Sequence, residues 1–191
     1  MDPRESKAQL RSAIKDRLAR LSPKDRSAES RSICRRILES LPKEPVAVCA
    51  YYPMGDEVDL RELLTEIPAR GHVVYLPRKE GKHFVFRKME GAATLAPDEF
   101  GIPAPPDNSP LLESQELSIA LIPGRAFDRK GNRMGRGNGG YDIWIRNQRA
   151  SSTRVQFWGI AFECQIVQDI PMEAHDERVD AIVTARGVQK T

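Results

Sequence analysis

Short runs of apolar, β-branched and aromatic residues alternate with stretches of helical periodicity over most of the chain. The runs predict six strands, at residues 46–52, 72–77, 83–89, 117–123, 155–162 and 179–184. The third run alternates apolar with polar residues, which is typical of a strand near an edge. Helical stretches follow at residues 59–67 and 141–148. Strands that alternate with helices favour an α/β fold, a mainly parallel open sheet flanked by helices.

Two helices are predicted ahead of the first strand. The first covers residues 4–20, where apolar side chains recur at spacings of four, four and three (Leu10, Ile14, Leu18 and Leu21). The second begins after Ser22, which can cap it, with Pro23 in the first turn and Asp25 completing a capping-box pattern. We expect these two N-terminal helices to pack on the sheet.

A single domain, residues 1–191, fits the length of the chain, in which no linker or internal repeat is visible. No apolar run approaches the roughly 20 residues that span a bilayer, and the charged N-terminus does not resemble a secretory signal. The three cysteines are far apart and form no CxxC pair, which indicates buried thiols rather than disulfides or zinc. We therefore expect a monomeric protein of the cytoplasm that binds no membrane.

Basic residues are concentrated in the first forty positions, although the net charge of the whole chain is only +3. No aromatic residues are interleaved with them, as they are in many nucleic-acid-binding segments. The pattern indicates a solvated helix face from which one or two side chains reach an anionic ligand. We do not expect a nucleic-acid partner.

The segment RMGRGNGGYD, residues 133–142 and called the glycine loop below, lies between the predicted strand 117–123 and a predicted helix. Ligands of open α/β sheets bind at the carboxyl ends of strands, which is where this segment falls. Glycines let backbone N–H groups approach a ligand, and Arg133 and Arg136 add donors for phosphate oxygens. Asp142 places a carboxylate suited to Mg²⁺ beside that phosphate. The pattern indicates a phosphate-binding loop.

Other interpretations of the glycine loop stay open on the residues alone. A flexible turn with exposed arginines would have the same composition. Gly135, Gly137 and Gly140 also fit the GxGxxG pattern of dinucleotide sites, but about ten residues separate them from the strand, whereas a Rossmann fingerprint follows its strand directly. No GK[ST] ends the segment, so it is not a Walker A loop.

The sequence resembles the 5-formyltetrahydrofolate cyclo-ligases, also called methenyltetrahydrofolate synthetases. GRAFDRKGNRMGRGNGGYD, preceded by IALIP, is similar to their signature, roughly P-G-x-x-F-D-x-x-G-x-R-L-G-x-G-x-G-Y-Y-D. Four shorter segments match family patterns in the same order: KAQLR, YYPMGDEVD, FGIPAPP and HDERVDAIVT. The resemblance therefore spans Lys7 to Thr184, nearly the whole chain.

The resemblance implies an enzyme that uses ATP and Mg²⁺ to convert the reduced folate 5-formyltetrahydrofolate to 5,10-methenyltetrahydrofolate, with release of ADP and phosphate. The formyl oxygen attacks the γ-phosphate, and N10 closes onto the activated carbon as phosphate leaves. Such a reaction depends on positioning and on neutralisation of phosphate charge. It needs no nucleophilic serine or cysteine.

The resemblance assigns ATP binding to the first helix and to the glycine loop: Lys7, Arg11, Arg133, Met134, Gly135, Arg136, Gly137, Asn138, Gly139, Gly140 and Tyr141. The spacing of four residues between Lys7 and Arg11 puts both on one helix face, where they can share an anionic target. Arg136 is the implied catalytic residue, which would stabilise the phosphoryl group during transfer.

The remaining implied roles concern the metal ion and the folate. Asp142 and Asp180 would hold Mg²⁺. Residues next to the folate would be Tyr52, Glu57 and Gly140. His175 and Asp176, in the matched C-terminal segment, are expected to be structural.

Two positions depart from the family pattern. Gly140 stands where the family usually has the first tyrosine of Tyr-Tyr-Asp, and Ala104 stands where a glutamate is frequent. The tyrosine lies near the substrate in the family, so the folate half of the site is altered while the nucleotide half is complete. Two alternatives therefore stay open: a nucleotide- or folate-binding paralogue without this activity, and an ATP-using enzyme that acts on another formyl or amide substrate.

Overall fold

The computed structural model describes residues 3–81, 83–113, 116–151 and 154–191. Four α-helices form in this part of the chain: α1 Pro3–Arg20, α2 Pro23–Ser40, α3 Arg61–Ala69 and α4 Gly140–Ser151. The strands are β1 Ala47–Cys49, β2 Val73–Glu80, β3 His83–Lys88, β4 Ala96–Pro97, β5 Pro103–Ala104, β6 Leu117–Pro123, β7 Ala126–Asp128, β8 Arg133–Met134, β9 Gln156–Ile160, β10 Ile166–Val167, β11 Ala181–Thr184 and β12 Gly187–Lys190.

A seven-stranded sheet in the order β12-β11-β9-β6-β1-β2-β3 forms the centre of the molecule. Its five inner strands pair in parallel, whereas β12 and β3 pair antiparallel at the two edges. This arrangement confirms the predicted mainly parallel α/β sheet and the position of the third predicted strand at an edge. The hairpin partner β12 was not predicted, because its residues are polar or exposed and lack a strand period.

The two faces of the sheet are covered by different helices. Val48 of β1 belongs to a buried cluster with Ile14 of α1 and Ile37 of α2, while the next residue, Cys49, belongs to a second cluster with Trp144 of α4. This separation follows from the alternation of side chains along a strand. Ile14 and Ile37 are fully buried, and burial of such a side chain contributes about 1.5–3 kcal/mol. The predicted packing of the two N-terminal helices on the sheet is confirmed.

The predicted N-cap at Ser22 is confirmed, whereas Asp25 does not complete a capping box, because its carboxylate accepts from the Ser22 hydroxyl at 2.6 Å. The Ser22 side chain accepts a hydrogen bond of 3.1 Å from the backbone N–H of Asp25, and Pro23 occupies the first turn. The cap satisfies one of the N–H groups that every helix leaves unpaired at its beginning, which contributes about 1 kcal/mol.

A three-stranded sheet, β10-β7-β8, lies beyond the carboxyl end of β6 and was not predicted. The carboxylate of Asp128, fully buried, accepts hydrogen bonds from the backbone N–H groups of Lys130, Asn132 and Ile170 and from the Asn132 side chain. Gly131 closes this turn with a φ of +80°, a conformation that favours glycine. Asp128 therefore fixes the chain immediately before the glycine loop.

The described part of the proline-rich segment after β3, residues 91–113 and 116, is irregular apart from a 3₁₀ turn at Ala92–Thr94, the two-residue ladder of β4 with β5 and an isolated bridge from Leu111 to Arg87. None of the helices in the described ranges has the length and apolarity needed to cross a membrane. The single-domain organisation, the monomeric state and the location in the cytoplasm stay predictions from the sequence.

Candidate active site

A cavity of about 710 Å³ opens at the carboxyl ends of the parallel strands. Its floor is formed by the segment after β1, by Pro123 and Gly124 at the end of β6, and by the glycine loop. Basic residues of α1 and the segment 173–176 complete its walls. Volumes of roughly 300–1,000 Å³ are typical of sites for small molecules and cofactors.

Most of the residues assigned to a site from the sequence line this cavity: Lys7, Arg11, Tyr52, Glu57, Arg133, Met134, Gly135, Arg136, Gly137, Asn138, Gly139, Tyr141 and Asp142. They come from segments more than a hundred positions apart in the chain, which the sheet and α1 bring together. Two assigned residues, Gly140 and Asp180, are not in the cavity wall.

The glycine loop turns sharply at Gly137 and Gly139, whose φ angles are +104° and +67°. Glycine adopts such angles without strain, which accounts for two of the four glycines in the loop. The guanidinium of Arg11 lies against the loop, because its Nε donates to the carbonyl of Gly135 at 3.2 Å. Gly140 begins α4 instead of facing the cavity.

Arg133 lies beneath the glycine loop and is only 3% exposed. Its Nη2 donates to Asp142 Oδ1 at 2.9 Å, its Nη1 donates to the Pro123 carbonyl at 3.3 Å, and its guanidinium is 5.7 Å from the ring centre of Tyr141. Because both Nη groups contact the protein, Arg133 orients Asp142 and the start of α4, while its buried Nε has no hydrogen-bond partner within the described residues. A contact of Arg133 with phosphate stays a prediction.

Arg136 extends across the mouth of the cavity to the loop that follows β1. Its Nη2 lies 2.9 Å from Asp56 Oδ1 and 3.0 Å from Glu57 Oε1, and its Nε also donates to Glu57 Oε1, at 3.3 Å. Asp56 pairs in addition with Arg125. Asp56 and Arg125 both lie in segments that match the family pattern, but their contact was not predicted, since an ion pair between distant segments leaves no local pattern.

Lys7 is buried in the wall between two carboxylates. Its Nζ lies 2.8 Å from Glu173 Oε2 and 2.5 Å from Asp176 Oδ2. Burial lowers the pKa of Lys7, but the hydrogen bonds to Asp176 and Glu173 outweigh burial and leave that pKa above its ordinary value. The same contact with Lys7 holds the pKa of Glu173 below its usual range. Lys7 is therefore a cation at the cavity, as expected, although its present partners are carboxylates.

The model of the 5-formyltetrahydrofolate cyclo-ligase family matches residues 3–185 of this chain. The chain belongs to the 5-formyltetrahydrofolate cyclo-ligase family. A probable 5-formyltetrahydrofolate cyclo-ligase of Schizosaccharomyces pombe is 32% identical over an alignment of 197 residues, gaps included. The alignment covers 95% of this chain and 96% of the relative. The 5-formyltetrahydrofolate cyclo-ligase of Mycolicibacterium smegmatis is 31% identical, over 97% of this chain and 96% of the relative.

A solved structure of a cyclo-ligase relative supports the same assignment. The Aquifex aeolicus 5,10-methenyltetrahydrofolate synthetase superposes with a TM-score of 0.81 at 30% identity, covering 96% of this chain and 92% of the other. The predicted family, its enzyme class and the fold are thus confirmed.

In this cyclo-ligase fold, Asp180 is on the wrong edge of the sheet for the metal role suggested by the sequence. It precedes β11, so it lies at the amino ends of the parallel strands, opposite the cavity. Its Oδ1 accepts from Arg149 Nη2 at 2.9 Å, and its Oδ2 accepts from the N–H of Phe157 at 2.8 Å. The pairing of Asp142 with Asp180 around one ion is corrected by this geometry.

Asp176, four positions before Asp180, lies in the cavity wall. The Oδ2 of Asp176 accepts from Lys7 and from the N–H of Glu173, while Oδ1 of Asp142 accepts from Arg133 and from the N–H of Glu177. Within the described ranges, the second oxygen of each carboxylate accepts no hydrogen bond. His175, 60% exposed, also lines the cavity, and its ring and the carboxylates of Glu173 and Asp176 offer ligand atoms within 4.8 Å of one another. The two available carboxylate oxygens are hard donors of the kind that Mg²⁺ prefers.

The wall opposite the glycine loop was largely missed from the sequence. It contains Tyr52 and Glu57, as expected, and also the following residues: Pro77, Lys79, Asp98, Phe100 and Ile102. Phe100 is 65% exposed, and the Lys79 ammonium lies 5.3 Å from its ring centre. The matched segment FGIPAPP was the available signal for this wall. Ala104, in that segment, is fully buried in β5 and is not among the cavity-lining residues.

Proposed function

We propose that this protein converts 5-formyltetrahydrofolate to 5,10-methenyltetrahydrofolate, with ATP and Mg²⁺, and releases ADP and phosphate. One observation carries the proposal: a single cavity joins the glycine loop and the basic side chains of α1 to the loop that contains Tyr52 and Glu57. A polyphosphate and a second ligand rich in N–H donors can therefore meet in one site. The names of the curated cyclo-ligase relatives and of the solved synthetase agree with this substrate.

The nucleotide half of the cavity is suited to polyphosphate. Arg11 contacts the glycine loop and Arg136 belongs to it, so both bring guanidinium groups to this half of the cavity. The turns at Gly137 and Gly139 let the loop backbone approach a phosphate closely, and the N-terminus of α4 adds positive potential. Mg²⁺, when bound by Asp142 and Asp176, would neutralise part of the phosphate charge.

The reaction needs alignment more than covalent participation of the protein. The formyl oxygen attacks the γ-phosphorus and ADP leaves; N10 then attacks the activated formyl carbon, phosphate leaves and a proton is lost from N10. We propose that Arg136 stabilises the negative charge on the transferring phosphoryl group. One carboxylate oxygen of Glu57, Oε2, accepts a hydrogen bond of 2.9 Å from the N–H of Met54. Glu57 would accept N–H donors of the pterin and so hold the formyl group in line with the γ-phosphate.

The test follows the near-ultraviolet absorbance of methenyltetrahydrofolate in a mixture of purified protein, Mg²⁺, ATP and 5-formyltetrahydrofolate. We expect an absorbance band that grows only when ATP is present, and its rate of growth should be about 10²–10³-fold lower in Arg136→Ala. Arg35→Ala is the matched control, since Arg35 is an exposed arginine of α2 that pairs only at 3.9 Å with Glu39. If ATP–Mg²⁺ binds and no band forms, the proposal fails, and a binding paralogue without this activity or an ATP-using enzyme with a different substrate takes its place.

A further inference from the structure

The contact between Arg136 and two neighbouring carboxylates connects the halves of the cavity. We infer that Asp56 is a positioning residue that holds Arg136 against Glu57, so that nucleotide and folate each break the same ion pair and each raises the affinity of the other. The inference rests on the proposed function, because that function places the nucleotide at Arg136 and the folate at Glu57.

Each of the two carboxylates is anchored by one oxygen and holds Arg136 with the other. Asp56 Oδ2 pairs with Arg125, and Asp56 Oδ1 pairs with Arg136 at 2.9 Å. Glu57 Oε2 accepts from the N–H of Met54, and Glu57 Oε1 faces Arg136 at 3.0 Å. The geometry is that of a receptor for one guanidinium, built on the loop after β1.

The charge of Asp56 is maintained within this group. Burial raises its pKa, but the hydrogen bond from Arg125 and the charges of Arg125 and Arg136 outweigh burial, so the pKa lies below its ordinary value. Arg136, in contrast, is 37% exposed and can move toward a ligand in the cavity. Partly exposed ion pairs of this kind change an equilibrium constant by a factor of about five at most, so a bound polyphosphate can replace them.

The consequence is a thermodynamic coupling between the two ligands. When a phosphate binds Arg136, the ion pair with Glu57 breaks and Glu57 Oε1 can accept N–H donors of the folate. When the folate binds Glu57, the same ion pair breaks and Arg136 can bind phosphate. Linkage requires that the factor be the same in both directions. Asp56 sets its size, because it keeps Arg136 on the Glu57 side in the absence of ligands.

The experiment is calorimetric titration with the Mg²⁺ complex of a non-hydrolysable ATP analogue, with and without saturating 5-formyltetrahydrofolate. We expect the Kd of the analogue to fall about two- to fivefold when the folate is bound, and the Kd of the folate to fall by the same factor when the analogue is bound. The factor should decrease toward one as ionic strength rises, since a partly exposed ion pair is screened.

Asp56→Asn tests the positioning role. We expect it to bind the analogue about two- to fivefold more tightly than wild type in the absence of folate, and to reduce the coupling factor toward one. If Asp56 merely stabilised the loop, its substitution would instead weaken the binding of both ligands. Asp56→Glu, which keeps the carboxylate, should retain the coupling. Asp169→Asn is the matched control, because Asp169 forms an exposed ion pair with Lys130 outside the cavity.

The outcomes separate this inference from the proposed function. If wild type binds both ligands and turns them over with a coupling factor of one, the inference is wrong and the proposed function stands. If wild type does not bind one or both of the ligands, the proposed function is wrong. Far-ultraviolet circular dichroism checks folding of Asp56→Asn; should that variant not fold, the wild-type factor and its dependence on salt decide the inference.

Discussion

Phe127 lies at the carboxyl edge of the sheet between two glycines, Gly124 and Gly159, and its ring occupies the space where their side chains would be. A Cβ added at Gly159 would lie 2.7 Å from Phe127 Cδ1 and 3.1 Å from Cζ. A Cβ at Gly124 would lie 2.6 Å and 2.8 Å from the same ring. Since the chain from Gly124 onward leads into the glycine loop, this packing fixes where the loop starts. Gly159→Ala tests it.

The magnitude follows from the distances. Non-bonded carbon atoms rest about 3.5–4.0 Å apart, so the ring or the strand must move by roughly 1 Å. Phe127 is fully buried and has no free side to move toward. Overpacking of this kind costs about 1–3 kcal/mol, from which about 0.5–1 kcal/mol is recovered because alanine loses less conformational entropy than glycine. We expect a net loss of about 1 kcal/mol, and a Tm lower by about 2–4 °C for a chain of this length.

Thermal unfolding followed by circular dichroism measures the change. Gly55→Ala is the matched control, because a Cβ there has no atom within 4 Å and its φ is not in the left-handed region; we expect a change within about 0.5 kcal/mol. Gly159→Ala combined with Phe127→Leu should lose less stability than the sum of the single variants, since the smaller side chain makes room. A Tm for Gly159→Ala within roughly 1 °C of wild type would refute the packing argument.

Three further outcomes are expected. Arg133→Lys should lower the free energy of unfolding by about 2–4 kcal/mol, since breaking a buried ion pair costs about 3–5 kcal/mol and lysine replaces only part of the contact with Asp142; urea denaturation measures it, and unchanged stability contradicts it. Asp142→Asn should raise the Mg²⁺ concentration needed for half-maximal turnover by about tenfold or more, whereas Asp180→Asn should leave it unchanged. Equal effects of the two substitutions in a Mg²⁺ titration would contradict the assignment. Burial, and then the charge of Glu62, raise the pKa of the Cys34 thiol to about 12. The unfolded chain loses that proton near pH 8.5–9, roughly, and the folded chain retains it, so stability should fall as pH rises above about 9. In Cys34→Ala, the free energy of unfolding should fall less steeply with pH, as measured by denaturation from about pH 8 to about pH 11. A slope identical to that of wild type would contradict the assignment.

Elements with their own periodicity could be predicted from the sequence. The apolar run at residues 117–123 became β6 Leu117–Pro123, and the cap at Ser22 begins α2 as expected. The short strands β7, β8 and β10 could not be predicted, because none of them lies in an apolar run long enough to show a period. They form through partners elsewhere in the chain and through the buried carboxylate of Asp128.

The local chemistry of the glycine loop, the cap of α2 and the alternation of strands with helices were determined by the sequence, since each depends on neighbouring residues; the order of the strands in the sheet was not. The tertiary structure decided which distant groups meet. Asp176 and Asp180 are four positions apart in one matched segment, yet only Asp176 reaches the cavity, because Asp180 enters a parallel strand from the opposite edge. Arg136 likewise faces Asp56 across 80 positions of chain. Such contacts are set by strand direction and packing, which no local pattern encodes.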